Sequence, residues 1–158
     1  MTREAFINQV EATQGALRRF LVVLCRGDAV GADDIAQEAY VKAFLAIDTL
    51  GDVSKFRPWI YRIAYNTFVS SMRSARENET VDKAVGIASD RRADAAFEYQ
   101  ELYAALDRLP DRERTSMLLH YMDGYKTDEI AAITGMSPDA VRQHLTRGRV
   151  RLREILKK

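Results

Sequence analysis

The amino-acid sequence predicts an all-α protein with two small helical domains joined by a flexible linker, the second domain being a helix-turn-helix. Apolar residues recur every three or four positions through most of the chain, and no run alternates apolar and polar residues as a strand does. One central stretch, "ARENETVDKAVGIASDRRADA", has neither aromatic residues nor an apolar stripe. With 158 residues, the chain can form one compact domain or two small ones.

The composition excludes several classes of protein. No apolar run is long enough to span a bilayer, and the polar N-terminus, "MTREAFINQVEATQG", is unlike a signal peptide, so we expect a cytoplasmic protein without membrane insertion. Cys25 is the single cysteine, which excludes an intramolecular disulfide. The two histidines, His120 and His144, lack metal-ligand spacing, and no glycine-rich phosphate loop occurs. We therefore expect no enzyme activity, no catalytic residues, no metal and no cofactor.

Three helices are predicted in the first half of the chain. The first has an apolar stripe over residues 6–24, with Thr2 as its N-cap. The second has its stripe over residues 35–47, with two consecutive aspartates in its first turn, where carboxylates interact favourably with the helix dipole. The third begins near Pro58, because proline is tolerated in a first turn, and continues to about Ser74.

The polar stretch in the middle of the sequence divides the chain. We predict a first domain over residues 1–75, a linker over residues 76–96 and a second domain over residues 97–158. Such a linker allows the two domains to change their separation. The second domain is predicted to start with a helix that stops at Pro110, followed by a helix that ends at Gly124.

A helix-turn-helix is predicted at the end of the second domain. Thr127 is a suitable N-cap for a short helix over residues 128–134, and Gly135 can take the left-handed conformation that ends it. Ser137 then caps a longer helix that has Pro138 in its first turn. A short helix, a glycine turn and a longer helix are together typical of DNA-binding helix-turn-helix proteins.

The second helix of this motif carries five arginines between its apolar positions. The first turns of a recognition helix enter the major groove, so Arg142, Gln143 and Thr146 are predicted to reach base edges. The arginines further along are closer to phosphates, which supply affinity without sequence information. The predicted contacts to duplex DNA are Arg142, Gln143, Thr146, Arg147, Arg149 and Arg153.

A second basic segment lies at residues 55–76 and contains five basic residues, no acid and five aromatic residues. On a helical projection Arg62, Asn66 and Arg73 lie together, opposite the apolar side. Arginines, an amide and aromatic rings suit an unpaired strand, because bases stack on rings while cations follow the backbone. The alternative is that several of the aromatic side chains belong to the core.

Three blocks of the sequence resemble a known family. They are "GADDIAQEAYVKAFLAI", "FRPWIYRIAYNTFVSSMR" and "LDRLPDRERTSMLLHYMDGYKTDEIAAITGMSPDAVRQHLTRGRVRLREIL". In this order and spacing they resemble the extracytoplasmic-function (ECF) sigma factors of bacterial RNA polymerase, in the sigma-70 superfamily. The resemblance covers residues 5–75 and 98–157, with a variable linker between them, as in that family.

The resemblance implies a set of protein partners. Residues 28–52 contain six acids and one base, and the helix in this segment would dock on the β′ coiled coil of RNA polymerase core. Its contact residues would be Asp34, Gln37 and Glu38. The polymerase β subunit and an anti-sigma factor are further implied partners.

The resemblance also implies how promoter DNA is divided between the domains. The first, as sigma domain 2, would bind the −10 element, with the loop over residues 48–55 helping to capture a flipped base. Its DNA contacts would be Lys55, Arg62, Asn66 and Arg73. The second, as sigma domain 4, would read the −35 element with the six recognition-helix residues named above. The implied function is that of a transcription initiation factor that binds polymerase core and directs it to specific promoters.

Two other functions are compatible with the residues alone. A repressor or activator could bind duplex DNA without polymerase, but the chain offers no extra apolar helix for the dimer that paired half-sites require. A sigma-like decoy could capture an inhibitory partner without touching DNA, but it would have no need for Arg142, Arg147 and Arg149.

Overall fold

A computed structural model describes residues 1–77 and 97–157 of the chain. Its helices are α1 (Arg3–Leu24), α2 (Ala29–Leu45), α3 (Phe56–Glu77), α4 (Phe97–Asp107), α5 (Asp111–Met117), α6 (Thr127–Thr134) and α7 (Pro138–Leu156). The described residues contain no strand, so the all-α prediction is confirmed. Helix α3 continues through the first two residues of the predicted linker, and residues 78–96 lie outside the described ranges.

Several helix ends are where local sequence signals predict them. The Thr2 hydroxyl accepts a hydrogen bond from the Ala5 amide at 3.0 Å, which caps α1. The Ser137 hydroxyl accepts from the Ala140 amide at 3.1 Å, which caps α7. Gly135 has a φ of 82°, so it ends α6 in the left-handed conformation that glycine adopts without strain.

Two helix starts differ from the prediction. Helix α2 begins at Ala29 rather than near residue 32, because the Asp28 carboxylate accepts from the Gly31 amide at 3.0 Å and caps it there. The two aspartates predicted in its first turn therefore lie in the second. Helix α6 begins at Thr127 itself, which is not its N-cap. Glu129 does the capping, because its carboxylate accepts from the Lys126 amide at 2.8 Å.

The first three helices enclose an aromatic core. The Phe6 ring makes edge-to-face contacts with Phe44 and Phe56, at centroid separations of 5.5 and 5.8 Å. Phe20 lies 5.3 Å from Tyr61, and both are fully buried. Such pairs add about 0.5–1.5 kcal/mol each beyond the burial of their area. Helix α3 is thereby fixed against α1 and α2.

The helix-turn-helix is held together by apolar residues from both of its helices. Ile130 and Ile133 of α6 and Val141 and Leu145 of α7 are all buried. Helix α7 also crosses α5 closely at Gly148, where an added Cβ would lie 2.8 Å from Cγ of Met117. The recognition helix is therefore fixed from two sides.

The two groups of helices also contact each other. The Arg114 guanidinium of α5 is fully buried and donates to the Leu24 carbonyl, at the end of α1, at 3.1 Å. Arg26 donates to the Asp107 carbonyl at 2.9 Å. The sequence predicts a linker that lets the two domains change their separation. In this structure the two domains are packed together.

Replacing Gly148 by leucine should destabilise the second domain, because the crossing of α5 and α7 has no room for a side chain. Overpacking of this kind costs about 1–3 kcal/mol. The measurement is the free energy of unfolding from urea titration. Gly15→Leu is the matched control, since Gly15 is exposed on α1 and the nearest atom to an added Cβ is the flexible end of Arg19 at 3.6 Å. Equal stability of both variants would contradict the close crossing.

Candidate nucleic-acid interface

The first turns of α7 present a polar surface to solvent. Arg142, Gln143, Thr146 and Arg147 are exposed and together line one shallow depression. Asp139, in the first turn, accepts from the Arg142 guanidinium at 2.7 Å, which orients that side chain along the helix. The structure thus brings together four of the six residues predicted for duplex DNA, on the part of the helix that enters a groove in this motif.

The remaining two, Arg149 and Arg153, have a different environment. The Arg149 guanidinium is half-buried and donates to the Tyr121 hydroxyl at 3.0 Å. Both arginines line an apolar cavity of about 600 Å³ between α4, α7 and residues 118–122. The other residues that line this cavity are Tyr99, Leu102, Tyr103, Leu106, Met117, Leu118, Tyr121, Met122, Leu152 and Leu156. The basic edge of α7 therefore continues from the polar surface to the border of an apolar one.

His144 lies among the DNA-facing residues in sequence but not in space. Its side chain is half-buried, and Nδ1 is buried without a hydrogen-bond partner within the described part of the chain. Burial lowers the pKa of His144, so the imidazole is neutral at physiological pH. The geometry therefore favours a structural role for His144 over a contact with DNA.

Helix α3 presents one exposed polar stripe, formed by Arg62, Asn66 and Arg73. Lys55 is also exposed, directly before the helix. The turn that contains it is fixed by Asp52, whose carboxylate accepts from both the amide and the hydroxyl of Ser54 at 3.0 and 2.7 Å. The four residues predicted for the second DNA surface are thus all accessible.

The aromatic side chains of α3 answer the question that the sequence leaves open. Phe56, Tyr61, Tyr65 and Phe68 are buried, and Trp59 is half-buried against Phe56. The four buried rings belong to the core, so the prediction that they stack on unpaired bases is wrong for this structure, whereas Trp59 stays partly exposed.

Helix α2 exposes the three residues predicted for a protein partner. Asp34, Gln37 and Glu38 are all exposed, on the side opposite the buried Ile35 and Ala39. The exposed surface of α2 also contains apolar residues that the sequence analysis does not single out, and Val30 is one of them, 72% exposed. Val41 and Leu45 are 59% and 79% exposed. The sequence feature that indicates these exposed residues is the occurrence of apolar residues on every side of this helix.

One lysine connects this helix to α3. The Lys42 ammonium lies 3.2 Å from a carboxylate oxygen of Glu38 and donates to the Thr67 hydroxyl at 3.1 Å. Thr67 is buried and in turn donates to the Ile63 carbonyl at 2.8 Å. The acidic surface of α2 and the polar stripe of α3 are therefore parts of one rigid body.

The described ranges offer little for other kinds of chemistry. No group of three or more histidine, cysteine or acidic side chains within them could hold a metal ion, and none of their helices is long and apolar enough to cross a membrane. Burial raises the pKa of Cys25 to about 12, so its thiol stays protonated and unreactive at neutral pH.

Two helical domains, one of them a helix-turn-helix with a basic recognition helix, are the architecture of a DNA-binding protein. The family model described as Sigma-70 region 2 matches residues 9–78, and the one described as Sigma-70, region 4 matches residues 99–152. The chain belongs to the ECF RNA polymerase sigma factors, which are transcription initiation factors and not enzymes.

Individual relatives agree with this assignment. The ECF sigma factor EcfG of Rhodopseudomonas palustris is 31% identical over 152 residues, which cover 94% of this chain and 83% of EcfG. The probable RNA polymerase sigma factor RfaY of Xanthomonas campestris pv. campestris is also 31% identical, but the chain spans only 41% of its length.

A solved structure provides the comparison for the domain arrangement. It is the sigma factor RpoE in complex with the anti-sigma factor NepR from Bartonella quintana. The match has a TM-score of 0.81 and 27% identity over 96% of each chain. Because the matched share includes both domains, the two proteins arrange their domains similarly.

Proposed function

We propose that the chain binds RNA polymerase core through α2 and directs it to promoters, with α7 reading the −35 element and α3 engaging the −10 element. The observation that carries the proposal is the exposure of all three surfaces on domains whose cores fix the helices that bear them. The boundaries of these domains, residues 1–75 and 97–158, belong to the proposal. The cytoplasm, where RNA polymerase works, is the proposed compartment.

The direct test is run-off transcription with purified core polymerase on a library of promoters. Discrete products that require this chain would support the proposal, and their templates would report the promoter sequence. A repressor or activator that acts without polymerase would bind duplex DNA but give no such product, and a decoy would give neither.

The proposed partners each have a surface to bind. The acidic side of α2 suits the β′ coiled coil. The apolar cavity beside α7 suits the apolar side of an amphipathic segment of the β subunit. An anti-sigma factor is proposed from the similarity to RpoE, which was solved with its anti-sigma factor bound.

Replacing both Asp34 and Glu38 by lysine should abolish binding to polymerase core, because it reverses the charge of the proposed contact surface. Both side chains are exposed, so the helical circular dichroism spectrum should stay unchanged. The measurement is co-purification with core polymerase. The control is Glu11→Lys with Glu101→Lys, which makes the same charge change at exposed positions of α1 and α4. Core binding that survives the first double reversal would contradict this assignment.

Replacing Asn66 by alanine should impair promoter melting more than it impairs binding to the −35 element. An amide can hydrogen-bond a base edge that only an unstacked nucleotide presents, and extruding a base costs a few kcal/mol. Permanganate reactivity of thymines measures melting, and gel shifts with a −35 duplex measure the other domain. Equal losses in both assays would indicate misfolding rather than a role in melting.

Gln143 and Arg149 should have separable effects on −35 binding. Gln143→Ala should relax the preference at one or two base pairs, since a good bidentate contact is worth about 1–3 kcal/mol of discrimination. Arg149→Ala should weaken binding to all sequences alike and reduce the log–log salt slope by about 1. The measurement is binding to a −35 library at several salt concentrations. The reverse pattern would mean that α7 docks in another orientation.

A further inference from the structure

The contact between the two domains includes one basic residue of the DNA-facing segment of α3. The Arg57 guanidinium lies 3.6 Å from a carboxylate oxygen of Asp123, which belongs to the second domain. The same oxygen accepts from the Tyr61 hydroxyl at 3.2 Å, and the Arg57 guanidinium lies 5.7 Å from the centre of the Tyr61 ring. The Asp123 side chain is only 4% exposed, whereas that of Arg57 is 44% exposed.

Arg57 has the position of a DNA-contact residue but a different partner in this structure. It lies between Lys55 and Arg62, both proposed to contact the −10 element, in a segment of residues 55–76 that contains no acid. The carboxylate that pairs with it is supplied by the second domain, 66 positions further along the chain. We call the arrangement in which the two domains are packed together closed. In the closed arrangement, Asp123 supplies the negative charge that a DNA phosphate would otherwise supply to Arg57.

Simultaneous reading of two promoter elements requires a different arrangement of the domains. The −10 and −35 elements are roughly 25 base pairs apart, which is about 85 Å along a straight duplex. A chain of this length folded as one compact body has a radius of gyration of about 15 Å, hence a diameter of about 40 Å. The domains must therefore separate, and their separation removes Asp123 from Arg57.

We infer that Arg57 is a further DNA-contact residue of the −10 surface, that it binds backbone phosphate, and that Asp123 masks it while the domains are closed. This inference rests on the proposed function. Polymerase and promoter, by separating the domains, exchange the Asp123 carboxylate for a DNA phosphate.

The electrostatics of the contact between Asp123 and Arg57 allow this contact to break when the domains separate. The second carboxylate oxygen of Asp123 is buried and has no hydrogen-bond partner among the residues that the structure describes. Burial raises the pKa of Asp123 although Tyr61 and Arg57 lower it, so the charge is incompletely compensated. An ion pair at 3.6 Å in which one partner is buried and the other is 44% exposed adds little net stability. The closed arrangement is held mainly by other contacts, such as that of the fully buried Arg114.

The first experiment compares the free 158-residue chain with Asp123→Asn, Arg57→Ala and the double variant. The probe is a forked DNA with an unpaired −10 strand, taken from a promoter found in the run-off screen or, failing that, of random sequence. We expect Asp123→Asn to bind roughly three- to tenfold more tightly than the parent chain, with no such gain in the double variant. Asp33→Asn is the matched control, because Asp33 also pairs with an arginine, Arg18, but within the first domain.

Two results would overturn the inference in the free chain. One is an Asp123→Asn variant that folds, by circular dichroism, but binds no more tightly than Asp33→Asn. The other is an equal gain in the presence and absence of Arg57, which would mean that lost repulsion, and not unmasking, explains the effect.

The second experiment uses the polymerase complex and does not depend on the folding of Asp123→Asn. In that complex the domains are separated, so Arg57→Ala should weaken promoter binding roughly three- to tenfold and lower the salt slope by about 1. Arg57→Lys keeps the positive charge and should largely keep both the affinity and the salt slope of the parent chain. An Arg57→Ala complex that binds like the parent would overturn the inference. If the parent chain gives no run-off product at all, it is the proposed function that fails, and the comparison in the free chain still decides whether Asp123 masks Arg57.

Discussion

The structure depends on the burial of α3 from two directions. One side packs against α1 and α2 through rings such as Phe56, and another is covered by the second domain, where Tyr61 meets Tyr125 at a centroid separation of 5.5 Å. Over residues 56–69, only three side chains are left exposed to solvent: Arg57, Arg62 and Asn66. The packing of the helix therefore determines which of its side chains are accessible to a partner.

The buried guanidinium of Arg114 is the polar counterpart of this packing. It donates to the Leu109 carbonyl at 2.6 Å within its own domain and to the Leu24 carbonyl of the other, and it pairs with Asp111. Burial lowers the pKa of Arg114, which reflects the desolvation of its charge. An arginine suits this place because its fork of donors can reach two carbonyls at once, that of Leu24 at the end of α1 and that of Leu109 in the connection before α5.

Local sequence signals predicted much of the fold and of the exposed site. The Ser137 cap, the Gly135 turn and the apolar residues between α6 and α7 are encoded within a few positions of one another, and the structure confirms them. The start of α2 was missed because alanines such as Ala32, which is buried, give no apolar stripe to detect. The exposure of Arg142 and Gln143 followed from helical period alone.

Features that depend on distant parts of the chain could not be predicted in this way. Tyr61 reads as an exposed aromatic next to basic residues, yet it is buried by a domain whose sequence begins after the linker. Arg114 lies in the strongly polar "DRERTSM" and reads as exposed, yet it is completely buried. Asp123 reads as a turn residue before Gly124 and gives no sign of its contact with Arg57. The spacing of apolar residues indicates which side of a single helix is buried. Burial between the domains depends on the sequences of both domains.

The lysine between α2 and α3 has a mechanical consequence. Lys42 contacts Glu38 on the outer surface of α2 and Thr67 in the core, and the aromatic contacts of Phe6 join the same two helices. Neither helix can tilt without the other. A partner that binds the outer surface of α2 therefore also sets the orientation of the polar stripe of α3.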